Sequence, residues 1–148
     1  MVKLGIFKAE EIDTRYNILL ERYIKIREIE LETMIDMIHQ FVIPSGLEYK
    51  NVLAKVIKNQ KEIGVSSFFE MDSFKKVTTK IDEVYALSQS LHKEITGEHT
   101  DHQKYAEKIA QELMSVSTQM ATICNELEEL IPNQFYSLPK YYDMLFLR

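Results

Sequence analysis

Four histidines and one cysteine are the side chains here with the most chemistry to offer. His99 and His102 stand three residues apart, and Asp36 precedes His39 by three, so each pair lies on one face if its segment is helical. A helical di-metal site needs more: two Glu-x-x-His pairs and two further glutamates on facing helices. The chain contains no Glu-x-x-His; His99 and His102 are read as solvent-exposed polar residues at a turn, and His39 and His92 as ordinary surface or boundary residues. Cys124 follows the apolar position Ile123 and has no glycine turn or cationic cluster beside it to stabilise a thiolate, so it is read as a small, half-buried packing residue. No glycine-rich phosphate loop and no serine elbow occurs. The sequence assigns no catalytic, cofactor-binding or metal residue.

Composition narrows the classes further. Eighteen basic against twenty-three acidic residues leave a net charge of −5, with the charges interspersed, so no basic block offers itself to nucleic acid. No apolar run approaches the ~18 residues of a membrane span, and the N-terminus lacks the apolar core of a signal peptide. A lone cysteine gives no internal disulfide. The expectation is a cytoplasmic chain with no nucleic-acid or membrane partner. Four glycines and three prolines in 148 residues favour long helices, and the length suits one domain, 1–148.

The spacing of apolar residues supplies the elements. From Asp72, a candidate N-cap, to about Thr96, Phe74, Val77, Ile81, Val84, Leu91 and Ile95 step by threes and fours, with Ser88 filling the one gap. Gly97 ends that helix, and Thr100 or Asp101 caps the next. From about His102 to Ile131 the stripe Ala106, Ile109, Leu113, Val116, Met120, Ile123, Leu127 and Leu130 returns, predicting an antiparallel hairpin with arms of ~40 Å. The first half places Ile12, Tyr16, Leu19, Leu20, Tyr23, Ile24 and further apolar residues along a broad band as far as Phe41. Pro44 and Gly46 then predict a kink or break, after which Leu47, Val52, Leu53, Val56 and Ile57 resume the pattern. The fold class is therefore all-α: an elongated three- to four-helix bundle with a long antiparallel hairpin and a proline-kinked first helix.

Two features exceed what a plain bundle needs. The first helix is apolar over a wide arc from Ile18 to Leu31, and the chain closes on an aromatic tail, 132–148, in which Phe135 to Phe146 carry a dense cluster of rings. Pro132 and Pro139 keep this tail from being a long helix, so it is expected to pack on the bundle or on a missing catalytic domain.

The wording of two stretches is more specific. Tyr16 to Lys55, with Ile29-Glu30, Thr33-Met34-Ile35-Asp36-Met37, Ile43-Pro44 and Tyr49, resembles the C-terminal helical region of type III glutamine synthetases. The ending from Tyr136 to Phe146, with Pro139, Tyr141, Asp143 and Phe146, is similar to the aromatic signature on which that family closes. This chain departs from the pattern in having no tryptophan and in placing Ser45-Gly46 after Pro44, where stronger helix formers are expected. The resemblance implies a parent enzyme that ligates glutamate and ammonia with ATP and divalent metal, Mg or Mn, in a sheet-based active site between subunits. It also implies that this chain is the non-catalytic helical part, partnered by the catalytic domain of the same polypeptide in a homo-oligomer. Two other classes compete: a stand-alone helical adaptor gripping another protein, and a bundle that binds a small ligand between its helices.

Overall fold

A computed structural model describes residues 8–140. Among them the regular structure is entirely helical. Helix α1 spans Ala9–Met37, and α2 spans Ile43–Glu62. Between them lies one π-helical turn, Ile38–Val42, so the backbone stays helical from 9 to 62, a rod of ~80 Å. Helix α3, Phe68–Ile95, runs back along the rod. Helix α4, His102–Lys108, a second π turn, Ile109–Leu113, and α5, Met114–Leu130, form the third layer. A 3₁₀ turn, Asn133–Phe135, begins the tail.

The rod neither breaks at Pro44 nor runs through it unchanged. A proline has no N–H to give the carbonyl four residues back, so a regular α-helix would lose that bond and crowd the preceding turn. The π turn absorbs the mismatch just before the proline: the Ile43 N–H reaches the Ile38 carbonyl, five residues back, and both flanking residues keep right-handed helical dihedrals. Tyr49 and Leu53 point into the core while Leu47 and Val52 are exposed, and the buried positions Leu31, Ile35, Ile38, Val42, Ser45, Tyr49 and Leu53 step by threes and fours through the π turn.

Ser45-Gly46 now has a packing reason. Ser45 is buried, its hydroxyl donating to the Phe41 carbonyl at 2.6 Å. At Gly46 the backbone of α2 lies against Ile81 of α3, and a Cβ there would stand 2.5 Å from Ile81 Cδ1 and 3.1 Å from its Cγ1. The missing side chain is what lets the two helices approach.

Helix α3 starts at Phe68, a turn earlier than the Asp72 cap expected from its apolar stripe. Ser67 occupies the N-cap position with extended backbone, and Ser67-Phe68-Phe69-Glu70 has the spacing of a capping box. Phe68 and Phe69 face outward, so apolar periodicity cannot register that first turn. Asp72 instead pairs with Lys76 at 2.7 Å. Before it, α2 closes in a Schellman arrangement: Val65 N–H donates to the Gln60 carbonyl, Gly64 N–H to that of Lys61, and Gly64 takes φ +77°. The Asp101 cap is as expected, its Oδ1 accepting from the backbones of Gln103 and Lys104.

The expected inward positions of α3 are buried or nearly so, and the gap in its stripe has a partner. Ser88 is fully buried and bonds His39 Nε2 at 2.8 Å, joining α3 to the first π turn. In the third layer Ala106, Ile109, Leu113, Met120 and Leu127 are buried as their spacing predicts, as is Ile131, whereas Val116, Ile123 and Leu130 are half-buried against the core.

Of the tail, residues 132–140 are described and lie on the bundle; Tyr141 to Phe146 lie outside the described residues. The Phe135 ring stacks on Tyr49 at 5.8 Å, and the Ser137 N–H donates to Ser45 Oγ at 3.1 Å. Lys140, buried, donates to the Ile131 carbonyl and sits 5.4 Å from the Tyr136 ring centre.

The close approach at Gly46 predicts the sign of a substitution. Gly→Ala in a helix ordinarily gains ~1 kcal/mol, but overpacking a core contact costs about 1–3 kcal/mol, so Gly46→Ala should give a net loss of ~1 kcal/mol in urea unfolding. In an Ile81→Val background, which lacks Cδ1, the same change should be neutral or stabilising. Stabilisation by Gly46→Ala in the native background would contradict the crossing.

Candidate functional site

The polar residues gather mainly where helices meet, and their geometry is that of structural ties. At the α3–α4 turn, His99 Nε2 donates to the Glu94 carbonyl at 2.8 Å, satisfying the end of α3, and its ring stacks on Tyr105 at 3.5 Å. This corrects the reading of His99 as a plain surface residue. Tyr105, buried, donates its hydroxyl to Glu28 of α1 at 3.1 Å. Burial first, and the neighbouring carboxylate of Glu28 second, push this phenol well above its ordinary value. Lys108 reaches Glu94 at 2.5 Å across the hairpin and holds that carboxyl below its usual range. His102 is exposed, 3.8 Å from Glu21.

At the other end of the hairpin Lys80 links Glu83 at 3.1 Å and Glu126 at 2.7 Å, in a groove between α3 and α5 lined largely by charged side chains. Cys124 is half-buried, and burial pushes its thiol up to about 11, a poor nucleophile at neutral pH. Tyr136 is pushed up to about 12, again chiefly by burial. Among the described residues no three His, Cys, Asp or Glu side chains converge on a point where a metal could sit.

What the bundle does present is exposed apolar surface, with two groups of residues of particular interest. On α1, Ile18, Leu19, Ile26 and Ile29 are exposed, Ile26 at 45% and Ile29 at 55%. At the α2–α3 turn, Ile63, Val65, Phe68, Phe69 and Met71 cluster within nine positions, with Phe68 84% and Phe69 66% exposed. Scattered exposed aliphatics need no explanation, but contiguous ones mark surfaces that associate. The first patch falls within the arc flagged from Ile18 to Leu31. The second went unnoticed in the sequence, although two adjacent phenylalanines beside a Gly-Val-Ser-Ser loop were a usable signal. Among the described residues no helix is long and apolar enough to cross a membrane.

Residues 1–61 match the family described as the glutamine synthetase C-terminal domain. A glutamine synthetase from Butyrivibrio fibrisolvens is 32% identical over 146 residues, 96% of this chain. The chain spans about a fifth of that relative's length, 21%. No solved structure gives a significant match.

The Tyr105 environment carries a pH signature. Its folded-state pKa is raised above the ordinary 10.0, so its stabilising contribution is complete below about pH 10 and is lost as the pH rises and the unfolded chain's tyrosine ionises. Stability from chemical denaturation should fall above pH 10. Tyr105→Phe should flatten that fall while costing ~1 kcal/mol at neutral pH through the lost hydrogen bond. An unchanged alkaline slope in the variant would contradict this.

Proposed function

We infer that this chain, whose first 61 residues match the glutamine synthetase C-terminal domain family, is a non-catalytic helical part of a larger, cytoplasmic ligase. The parent activity is ATP-dependent joining of glutamate and ammonia, carried by a catalytic domain outside these residues. The role of this part is structural: it packs against that domain and helps hold subunits in a homo-oligomer.

One observation carries the reading. The described residues bring together no three His, Cys, Asp or Glu side chains that could hold a metal, yet leave large apolar side chains in water at the outer face of α1 and at the Phe68–Phe69 turn. Each buried Phe, Leu or Ile side chain contributes ~1.5–3 kcal/mol relative to exposure, so covering either patch would be a substantial gain. The family match over residues 1–61 and the alignment across 96% of the chain support a glutamine synthetase body as what covers that surface.

The test is light scattering and glutamine-forming activity of the parent enzyme with this region deleted. The expected result is a smaller or dissociating assembly with reduced activity. An intact, fully active assembly would refute the structural role. Phe68→Asp with Phe69→Asp in the parent should reproduce part of the deletion's effect without disturbing the helical content, because both rings are already in solvent.

A further inference from the structure

The outer face of α1 forms a seam of its own. A helix turns about 100° per residue, and Leu19, Arg22, Ile26, Ile29, Thr33 and Asp36, separated by alternating threes and fours, fall on the side away from the buried Ile24, Leu31 and Ile35. All six are exposed. Such spacing is the seam of a two-helix coiled coil, here with an aliphatic centre and polar members toward each end.

Charge selects the partner. Arg22 and Lys25 lie in the N-terminal half of the seam, Glu32 and Asp36 in the C-terminal half, all exposed. A helix that fits antiparallel must bring acidic residues to Arg22 and Lys25 and basic residues to Glu32 and Asp36. Reversed about the midpoint between Ile26 and Ile29, the stripe itself meets that demand, whereas a parallel copy would set Arg22 against Arg22 and Asp36 against Asp36 on the seam.

We propose that a second copy of this chain docks here, α1 against α1, antiparallel about a two-fold axis passing between Ile26 and Ile29. Ile26 then meets Ile29 of the partner subunit, Lys25 faces the partner subunit's Glu32, and Arg22 comes beside the partner subunit's Asp36. Every contact occurs twice, as an isologous interface requires. The pairing rests on the assembly role proposed above and supplies its partner and register.

Sedimentation equilibrium of the 148-residue chain over micromolar to submillimolar concentrations tests it. The expected mass is twice 17.4 kDa, returning to 17.4 kDa in Ile26→Asp with far-UV circular dichroism unchanged. Lys25→Glu should weaken association ~10-fold or more by replacing two attractive pairs with repulsive ones, and Lys25→Glu combined with Glu32→Lys should recover it. A wild-type monomer, or a dimer that survives Ile26→Asp, overturns the proposal. A dimer lost on Ile26→Asp but not rescued by the charge swap overturns the antiparallel register. The assembly role fails separately: a parent that stays assembled without this region ends that role while a dimer of the chain stands. A monomeric chain from a parent that needs the region ends the pairing alone.

Discussion

The bundle is organised by the crossing at residues 42–49, and the crossing exists because α2 gives up two ordinary atoms. Pro44 lacks the amide hydrogen a regular helix needs, and Gly46 lacks the Cβ that would hold α3 away. The first loss is absorbed by the π turn over Ile38–Val42. The second is filled by Ile81, whose side chain lies on the bare backbone. On its own each choice weakens a helix, glycine by ~1 kcal/mol relative to alanine. Beside them Tyr49 and Leu53 turn inward and Ser45 is buried, and those three residues receive the neighbouring helix and the start of the tail.

The all-α architecture was legible because it depends on long apolar stripes, and stripes survive local error. Val77, Ile81, Val84, Leu91 and Ile95 are buried as their spacing requires. What could not be read were quantities that depend on distant partners. Leu47 is exposed and Val116 half-buried although both are apolar, because how far a position is covered depends on which helices cross it. Ser88 looked like a flaw in the stripe until His39, forty-nine positions away, became its partner. Likewise Ser45-Gly46 read as a departure from the family pattern, because neither Ile81 nor Ser137 is local to it. The His99 ring could be placed only once the turn set it on Tyr105.

The same limits apply to function. The reactive side chains one would first examine, His99, Cys124 and Tyr105, are spent on satisfying a helix end, filling a gap and bonding a part-buried carboxylate. The arc of α1 was visible as an excess of aliphatic residues. Its division into an inner stripe that packs and an outer one that does not required knowing where α3 and α4 lie.

Native-state hydrogen exchange tests the central crossing most directly. If it organises the bundle, amides of α2 between Gly46 and Leu53, of α3 around Ile81, and of Ser137, which donates to Ser45, should share the highest protection and exchange only on global unfolding. The first turns of α1, before Ile24, should exchange much earlier, since no buried residue anchors them. Early exchange at the crossing, with α1's first turns equally or better protected, would contradict the account.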